Sequence, residues 1–501
     1  MQSRSFKVPS PSLLFSSAET GVFKLREKAV NKLASSTKWM ATVKGSDHQQ
    51  LIKRVTWVVA LGVLLNPLNS SMISVALLNI GADFGISLAT VTWLISSFYL
   101  AATVGQPLMG KLADLFGPRR VFSIGMALVI VSSILSVWAP SFGWLLVLRI
   151  VQAFGTTGAF PAGLSILRSV SRTADDTEGK SSASSLGLIS IAANVMAAFG
   201  PTLGGLLVAY SGWQSIFWIN IPIALLVLLL VFKWVPADSK NPPSDERKSV
   251  LHMIDLPGIV LFSGMFTSLM LFLISLGKGT QWWLLIIVPI AAALLILREL
   301  RTDKPFLDVK MLASNIRLTS VFAQYAGLNM VFYSLFFGLP LWLGQVRGYD
   351  PQMVGLLMLP FAGIGVLTTP LAVRMIGRSG YRQPIIVGSI VLAIGTLLLL
   401  VLGPHTPITI ILFVFAVIGI SNGMNNMGLS TALYSITKPE DTGIASGLFQ
   451  TFRSVGSIFS TSLLGLIFGG SVTTSGLHII AVVTAVISAG LLAVGCSRRL
   501  T

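Results

Sequence analysis

The chain has 501 residues, of which 53% are hydrophobic and only 11% are charged. A soluble domain carries about 25% charged residues, so this composition excludes one, and the long apolar runs predict a polytopic all-α membrane protein. The net charge of +17 would favour nucleic-acid binding in a soluble protein, but the placement of the charges explains it without that partner. One cysteine and four scattered histidines provide no metal-ligand cluster, so neither a metal nor a cofactor is expected.

Residues 1–54 form a polar tail rich in Ser, Lys and Arg, which we expect to be cytoplasmic. Two alternatives are a targeting peptide, because the tail contains few acids, and translation from Met40. Fourteen apolar segments follow, each long enough to cross a bilayer as a helix. They lie at about 55–78, 90–109, 121–138, 143–167, 184–210, 214–235, 257–276, 282–298, 318–345, 352–373, 384–403, 407–434, 445–470 and 476–496.

The first six and the last six spans are expected to form two bundles, at 55–235 and at 318–501, the second ending in a short tail. Residues 236–317 would link the bundles and carry two accessory transmembrane helices. A shift of 263 residues relates the halves, because it places Gly85 on Gly348, Pro107 on Pro370, Gly117 on Gly380 and Arg119 on Arg382. Two related halves around a site at the bilayer midplane are typical of transporters.

Lysine and arginine predict the orientation of the spans. If the N-terminus lies inside, all but four of the 35 Lys and Arg residues fall in the tail and the inner loops. The exceptions are Lys278 and Arg347 in outer loops and Arg149 and Arg453 within spans. Cytoplasmic loops carry an excess of these residues, so both termini are predicted to be cytoplasmic.

Gly110–Arg120 (GKLADLFGPRR) is a tight polar turn between the second and third spans. Gly117 permits the turn. The carboxylate of Asp114, near a helix end and near Arg119 and Arg120, can form a charge-assisted latch. The alternative is that Asp114 only caps a helix.

Two further motifs lie within spans. The fourth span holds Arg149 and Gln152, and a charged side chain at such a position faces a partner or a cavity or, as the alternative, extends outward to the interface. The fifth span contains AFGPTLGGLL, in which Pro201 kinks the helix. The small residues beside it, Gly200, Gly204 and Gly205, let another helix approach closely.

These motifs, in this order, resemble those of the fourteen-helix drug:proton antiporter branch of the major facilitator superfamily, from about residue 55 to the C-terminus. The resemblance implies a latch at Asp114 that holds the outward-open state and a role of Arg149 in proton coupling. It also implies export, because the motif at Gly200–Gly205 is typical of antiporters. A monomer in the plasma (inner) membrane, acting on a small-molecule substrate within the lipid bilayer, is expected.

One position departs from the family pattern. Asn69 stands where the first span of the family commonly has an Asp, and no acid or histidine falls in the middle of a predicted span. Proton-coupled transporters usually keep an ionisable group in the membrane. The departure therefore favours neutral, zwitterionic or anionic substrates, with Arg149 and Arg453 as anion contacts, and it leaves an uncoupled facilitator open.

The cavity lining is predicted from depth in the spans. Amides buried in lipid need partners, so they should face the bundle interior, where they either join helices or contact substrate. Two aromatic side chains and Arg453 are added as cavity candidates. The full set is Asn66, Trp93, Tyr99, Asn194, Gln324, Asn329, Asn422, Asn425, Asn426 and Arg453.

The function predicted from these features is export of small amphipathic compounds by proton antiport and alternating access. A lipid or glycolipid exporter on the same scaffold and an uncoupled facilitator are the alternatives. A membrane enzyme or a channel is disfavoured, because the sequence has no nucleophile constellation and no filter-like repeat.

Overall fold

A computed structural model describes residues 45–171, 180–238, 255–275, 280–302, 315–437 and 442–497. Within these ranges the regular structure is helical and no strand is present. The predicted tail lies almost entirely outside the described residues. The helices of the first part of the chain are α1 (Gly45–Asp83), α2 (Leu88–Val91), α3 (Trp93–Phe116), α4 (Pro118–Val137), α5 (Phe142–Thr157), α6 (Ala159–Ser171), α7 (Lys180–Ser211), α8 (Ser215–Trp218) and α9 (Asn220–Trp234).

Two further helices, α10 (Leu256–Ser275) and α11 (Trp282–Arg301), form the middle pair. The last part of the chain contains α12 (Ile316–Gln345), α13 (Pro351–Leu357), α14 (Leu359–Ser379), α15 (Arg382–Leu398), a 3₁₀ turn (Leu399–Val401), α16 (Ile408–Ile436), α17 (Thr442–Phe468) and α18 (Thr474–Cys496).

Each predicted span coincides with one helix or with two consecutive short helices. Among the described residues, twelve helical segments are long and apolar enough to cross a bilayer. The described apolar parts of α7 (Val195–Ser211) and α10 (Pro257–Leu269) are shorter. The chain is therefore an integral, multi-pass, all-helical membrane protein, and the count of fourteen spans stays a prediction.

Contacts group the helices into a first bundle (α1–α9) and a second bundle (α12–α18). The same pairs recur in both: α1 packs along α7 as α12 packs along α17, and α4 packs on α5 and α9 as α15 packs on α16 and α18. The bundles meet where α7 contacts α13 and α14, and where α17 contacts α3. The 263-residue shift relates α7 to α17 and α3 to α14, so the contact of α7 with α14 and the contact of α17 with α3 are equivalent. The junction is therefore pseudo-symmetric.

The helix pair α10–α11 packs on the side of the junction. α10 contacts both α17 and α3, and α11 packs on α10. An ion pair joins the two helices, because Arg298 Nε donates to Asp255 Oδ1 at 2.7 Å, and Asp255 also accepts the backbone N–H of Gly258 at 3.1 Å. The pair therefore bridges the two bundles laterally.

The turns repeat with the 263-residue shift. Gly85 and Gly348 have φ angles of 62° and 68°, and Gly117 and Gly380 have 98° and 75°. Such positive values favour glycine, because it has no Cβ. The shift also preserves an arginine contact: Arg119 Nη2 donates to the backbone oxygen of Phe232 at 3.1 Å, and Arg382 Nε donates to that of Gly495 at 3.1 Å. The repeat seen in the sequence is therefore a repeat of backbone geometry.

Candidate transport site

Arg149 lies in the interior of the first bundle, with 1% of its surface exposed. Its Nη1 donates to Gln152 Oε1 at 2.6 Å, and its Nη2 donates to the backbone oxygen of Asn69 at 3.0 Å. The guanidinium carbon lies 4.5 Å from the ring centroid of Phe98, within cation–π range. This geometry excludes the alternative in which Arg149 extends outward to the interface.

The positive charge of Arg149 is held by dipoles and aromatic rings. No described carboxylate lies within salt-bridge distance of it, and its Nε has no hydrogen-bond partner among the described residues. Gln152 in turn donates from Nε2 to Ser133 Oγ on α4 at 2.9 Å. The guanidinium thus connects α1, α4 and α5 while its charge stays uncompensated by an acid, which is costly inside a membrane and marks such residues as functional candidates.

Asn69 pairs with a residue that sequence reasoning missed. Asn69 Nδ2 donates to Asn220 Oδ1 at 2.7 Å, and Asn220 Nδ2 donates to Asn69 Oδ1 at 2.9 Å. Both amides are buried, at 3% and 0% exposure. In a reciprocal amide pair, each side chain has a hydrogen-bond partner, and neither amide ionises. The available signal was the polar Asn220 at the start of an otherwise apolar helix.

Arg453 lies at the junction of the bundles and is only partly buried. Its Nε and Nη2 donate to Tyr333 Oη at 3.1 and 2.8 Å. The ring of Tyr333 lies 5.1 Å from the ring of Tyr99, which belongs to the first bundle. The structure therefore brings together three elements from α3, α12 and α17: two phenol rings and a cation. Three further rings contact Tyr333, namely Phe332, Phe336 and Phe337, and Phe361 packs on Phe332 behind them.

The motif at Gly200–Gly205 lies where α7 contacts both α1 and the second bundle. A Cβ on Gly204 would lie 2.9 Å from Met72 Cα, and one on Gly205 would lie 3.1 Å from Gly355 Cα. Thr202 Oγ1 donates to the backbone oxygen of Gly355 at 2.7 Å. Larger side chains would force the helices apart, so these positions require small residues.

The turn at Gly110–Arg120 has a carboxylate at a helix end, but from a residue that we did not predict. Asp238, which follows α9, accepts the backbone N–H groups of Arg119 at 3.0 Å and Arg120 at 2.9 Å. These are free amides of the first turn of α4, where a negative charge is stabilising. The backbone of Asp114 belongs to α3, but its side chain lies outside the described residues, so its latch role stays a prediction.

The predicted cavity amides divide into groups. Asn66 donates to Thr156 Oγ1 at 3.2 Å, and Asn425 accepts from Ser389 Oγ at 3.3 Å; both therefore join helices of one bundle. Two others bond within their own helices, Asn329 to the backbone oxygen of Tyr325 and Asn426 to Asn422. Gln324 Nε2 is buried and has no partner among the described residues.

Two cavity candidates do not belong to the central group. Trp93 lines a cavity between α3, α5 and α10, and its role in substrate contact stays a prediction. The side chain of Asn194 lies outside the described residues. Of the predicted set, the structure places Tyr99 and Arg453 together at the junction.

A helical membrane protein with two repeat-related bundles, a close-packed junction and buried polar groups has the architecture of a secondary transporter. The chain belongs to the Major Facilitator Superfamily, whose family model matches residues 59–461.

The relatives are named as transporters or as a multidrug resistance protein. The chain is 38% identical over 417 residues to the Uncharacterized MFS-type transporter YwoD of Bacillus subtilis (strain 168), covering 83% of this chain and 90% of that protein. It is 30% identical to the Multidrug resistance protein Stp of Mycobacterium tuberculosis (strain CDC 1551 / Oshkosh), covering 81% and 74%. It is 25% identical to the Riboflavin transporter RibZ of Clostridioides difficile (strain 630), covering 83% and 88%.

The fold is similar to that of solved transporters. A bacterial homologue of the human lysosomal transporter Spinster, in an inward-facing and unoccupied conformation, matches with a TM-score of 0.62 at 17% identity, covering 89% of this chain and 96% of that one. The chain is therefore a transporter by family, with a fold shared by solved transporters, and its relatives include proteins named for multidrug resistance and for riboflavin.

Proposed function

We propose that this protein exports small amphipathic compounds across the plasma (inner) membrane by alternating access, coupled to proton entry. The observation that carries the proposal is the packing of Gly204 and Gly205, which lets α7 contact α1 and α13 at backbone distance. A close-packed helix with an internal proline, Pro201, at the junction of two bundles is suited to rocking of one bundle on the other. The name of the relative Stp supports a drug-like substrate class.

The proposed topology has fourteen spans, with both termini in the cytoplasm and the protein acting as a monomer. In this topology, residues 55–235 and 318–501 form the two bundles, and residues 236–317 form the linker with its two accessory helices. In this orientation, Thr202 and Gly355 lie in the outer half of the membrane, so the contact between them closes the outer side. The turn at Asp114 would latch the opposite, outward-open state.

The substrate is proposed to be neutral, zwitterionic or anionic. The junction presents the guanidinium of Arg453 and the phenols of Tyr99 and Tyr333. None of the described residues places a carboxylate on this group. A permanent cation would therefore meet a positive site without a counter-charge, whereas an anionic or neutral amphiphile would find donors and aromatic faces.

Proton coupling is proposed to involve Arg149, Gln152 and Asn69, because they form one buried polar network. A facilitator without coupling is the second candidate. The Asn69–Asn220 amide pair favours it, because neither amide takes up or releases a proton.

Transport in proteoliposomes with an imposed pH gradient tests the proposal. The panel would contain cationic, neutral and anionic amphiphiles. We expect uphill accumulation of neutral or anionic compounds that is lost when an uncoupler collapses the gradient. Movement that is only downhill, at every pH gradient, would establish the facilitator instead.

Asp114→Asn tests the latch separately. We expect loss of transport with normal membrane insertion, because the outward-open state would lose its charge-assisted contact. Insertion is measured by surface accessibility of an engineered tag. Full transport by this variant would remove the latch from the proposal.

A further inference from the structure

A second cavity lies away from the central group. It has a volume of about 320 Å³, is lined by α3, α5 and α10, and is partly open to the surroundings. Its α3 wall is a stripe at helical spacing, formed by Trp93, Ser97, Leu100 and Val104. Tyr99, which faces Tyr333 across the junction, is not part of this wall. The cavity therefore lies on a different face of α3 from the proposed transport site.

The lining is apolar and carries no formal charge. Leu146, Ile150 and Phe154 form the α5 wall, and none of the eleven lining residues is ionisable. A charged group entering the cavity would meet no counter-ion, which is strongly unfavourable away from water. The volume is nevertheless within the range of small-molecule sites, which are mostly apolar with a few polar groups.

The polar groups of the cavity are hydroxyls, and one is unsatisfied. Ser97 is 6% exposed, and its Oγ has no hydrogen-bond partner among the described residues. Opposite α3, the lining of α10 includes Ser263 and Thr267, which are four residues apart on one helix face. By contrast, Ser96 already donates to Thr461 Oγ1 at 2.6 Å. A buried hydroxyl without a partner needs an explanation. The Ser97 oxygen has almost no exposed surface, so a ligand oxygen reaches it only after the side chain turns toward the cavity.

We propose that this cavity binds an uncharged amphiphile taken from the bilayer, with an apolar body against Trp93, Leu100 and Phe154. Its hydroxyl or carbonyl oxygen would bond to the Ser97 hydroxyl once that side chain has turned into the cavity. The stripe from Trp93 to Val104 extends about 16 Å at about 1.5 Å per residue, so the body can be an extended chain. Since α10 forms one wall, the site also gives the middle helix pair a function. The inference does not depend on the direction or coupling of transport.

A photoreactive alcohol provides the test. Purified full-length protein in proteoliposomes is irradiated with a diazirine-bearing octanol, and the labelled peptides are identified by mass spectrometry. We expect labelling of the segments around Trp93–Val104 and Ser263–Thr267 that saturates and is displaced by plain octanol. The anionic probe, a diazirine-bearing octanoate, should give no saturable labelling there. Equal labelling by both probes would overturn the uncharged character of the site.

Variants separate the cavity from non-specific labelling. Ser97→Ala should lower saturable labelling about fivefold, which corresponds to one hydrogen bond. Thr103→Val is the matched control, because its hydroxyl already donates within α3 to the backbone oxygen of Tyr99 at 2.7 Å. Ala101→Phe should abolish labelling by filling the cavity. Thr267→Trp fills it from the peripheral helix and serves if Ala101→Phe does not fold. Absence of saturable labelling in the natural protein, or labelling unchanged by the filling variants, would refute the site.

Discussion

The two bundles share their backbone geometry and differ in what fills it. At four positions related by the 263-residue shift, the first bundle has three polar side chains around one aromatic ring, and the second has only apolar and aromatic side chains. The first set is Asn69, Phe98, Arg149 and Gln152, and the corresponding second set is Phe332, Phe361, Leu412 and Phe415. In the second set, Phe361 stacks on Phe332 with ring centroids 5.3 Å apart and contacts Phe415 at 6.3 Å.

The difference indicates a division of roles. The first bundle could accommodate apolar packing at these positions, as the second does, but it holds a buried guanidinium instead. The second bundle places its own intramembrane arginine, Arg453, at the junction, where it is only partly buried and donates to Tyr333 of another helix. We infer that Arg149 acts in coupling within one bundle and that Arg453 acts in substrate contact between the two.

Replacing Arg149 should have the largest effect on function, because it removes the charge that distinguishes the first bundle from the second. Arg149→Met makes the first bundle more like the second, and we expect the response of transport to a pH gradient to fall by about 5- to 150-fold, the range of coupling between linked sites. Stability in detergent should change by no more than about 1–2 kcal/mol, because the lost hydrogen bonds are offset by removal of a costly buried charge.

Transport in proteoliposomes and thermal unfolding of the same preparation measure the two effects. A large loss of stability with transport retained in the folded fraction would contradict the assignment, since Arg149 would then be only a structural cross-link. Gln152→Leu removes both hydrogen bonds of Gln152, to Arg149 and to Ser133, and keeps the charge of Arg149, so it separates the effect of the charge from that of the hydrogen bonds.

Disrupting the aromatic cluster of Phe332, Phe361 and Phe415 should lower stability more than it lowers transport by the folded protein. Phe361 is fully buried, and Phe361→Ala is expected to destabilise the protein by about 3–5 kcal/mol through the cavity that it leaves. Leu367→Ala on the same helix is the matched control, because Leu367 is 76% exposed and should change stability by less than about 0.5 kcal/mol. Equal unfolding temperatures for the two variants would show that the cluster does not hold the second bundle together.

Replacing Arg453 should change the affinity for anionic substrates more than it changes the stability of the protein. Arg453→Gln should raise the KM of anionic substrates about 10- to 100-fold, the loss of one charge-assisted contact. The KM of neutral substrates should change by less than about threefold, because only the anionic compounds use the charge. Competition experiments with matched neutral and anionic compounds measure this ratio. An identical rise for both classes would indicate that Arg453 shapes the cavity without contacting charge.

The sequence predicted the helices well and the partners of the polar groups poorly. Apolar runs and the placement of Lys and Arg identify spans directly, since each is a local pattern. The partner of Asn69 is Asn220 and the cap of α4 is Asp238, residues 151 and 118 to 119 positions away along the chain. Neither of these long-range contacts produces a periodic pattern in the sequence from which it could be predicted. The position of Trp93 between α3, α5 and α10 was not predictable for a related reason: the sequence indicates how deep a residue lies in a span, but not which helices its face contacts.

Asp238 offers the finest test of the difference between the bundles. The first turn of α4 has the carboxylate of Asp238 on its free amides. In the sequence, the 263-residue shift places Asp238 on Thr501, whose side chain is not acidic. Asp238→Asn keeps an acceptor and removes the charge, so we expect a loss of about 0.3–1 kcal/mol, and Asp238→Ala should cost up to about 2 kcal/mol. The charge-dependent part should shrink in high salt, because the screening length falls to about 3 Å at 1 M. Unfolding measured at low and high salt separates the two contributions. A loss for Asp238→Asn that is independent of salt would mean that the geometry of the cap, rather than its charge, distinguishes the first bundle at this turn.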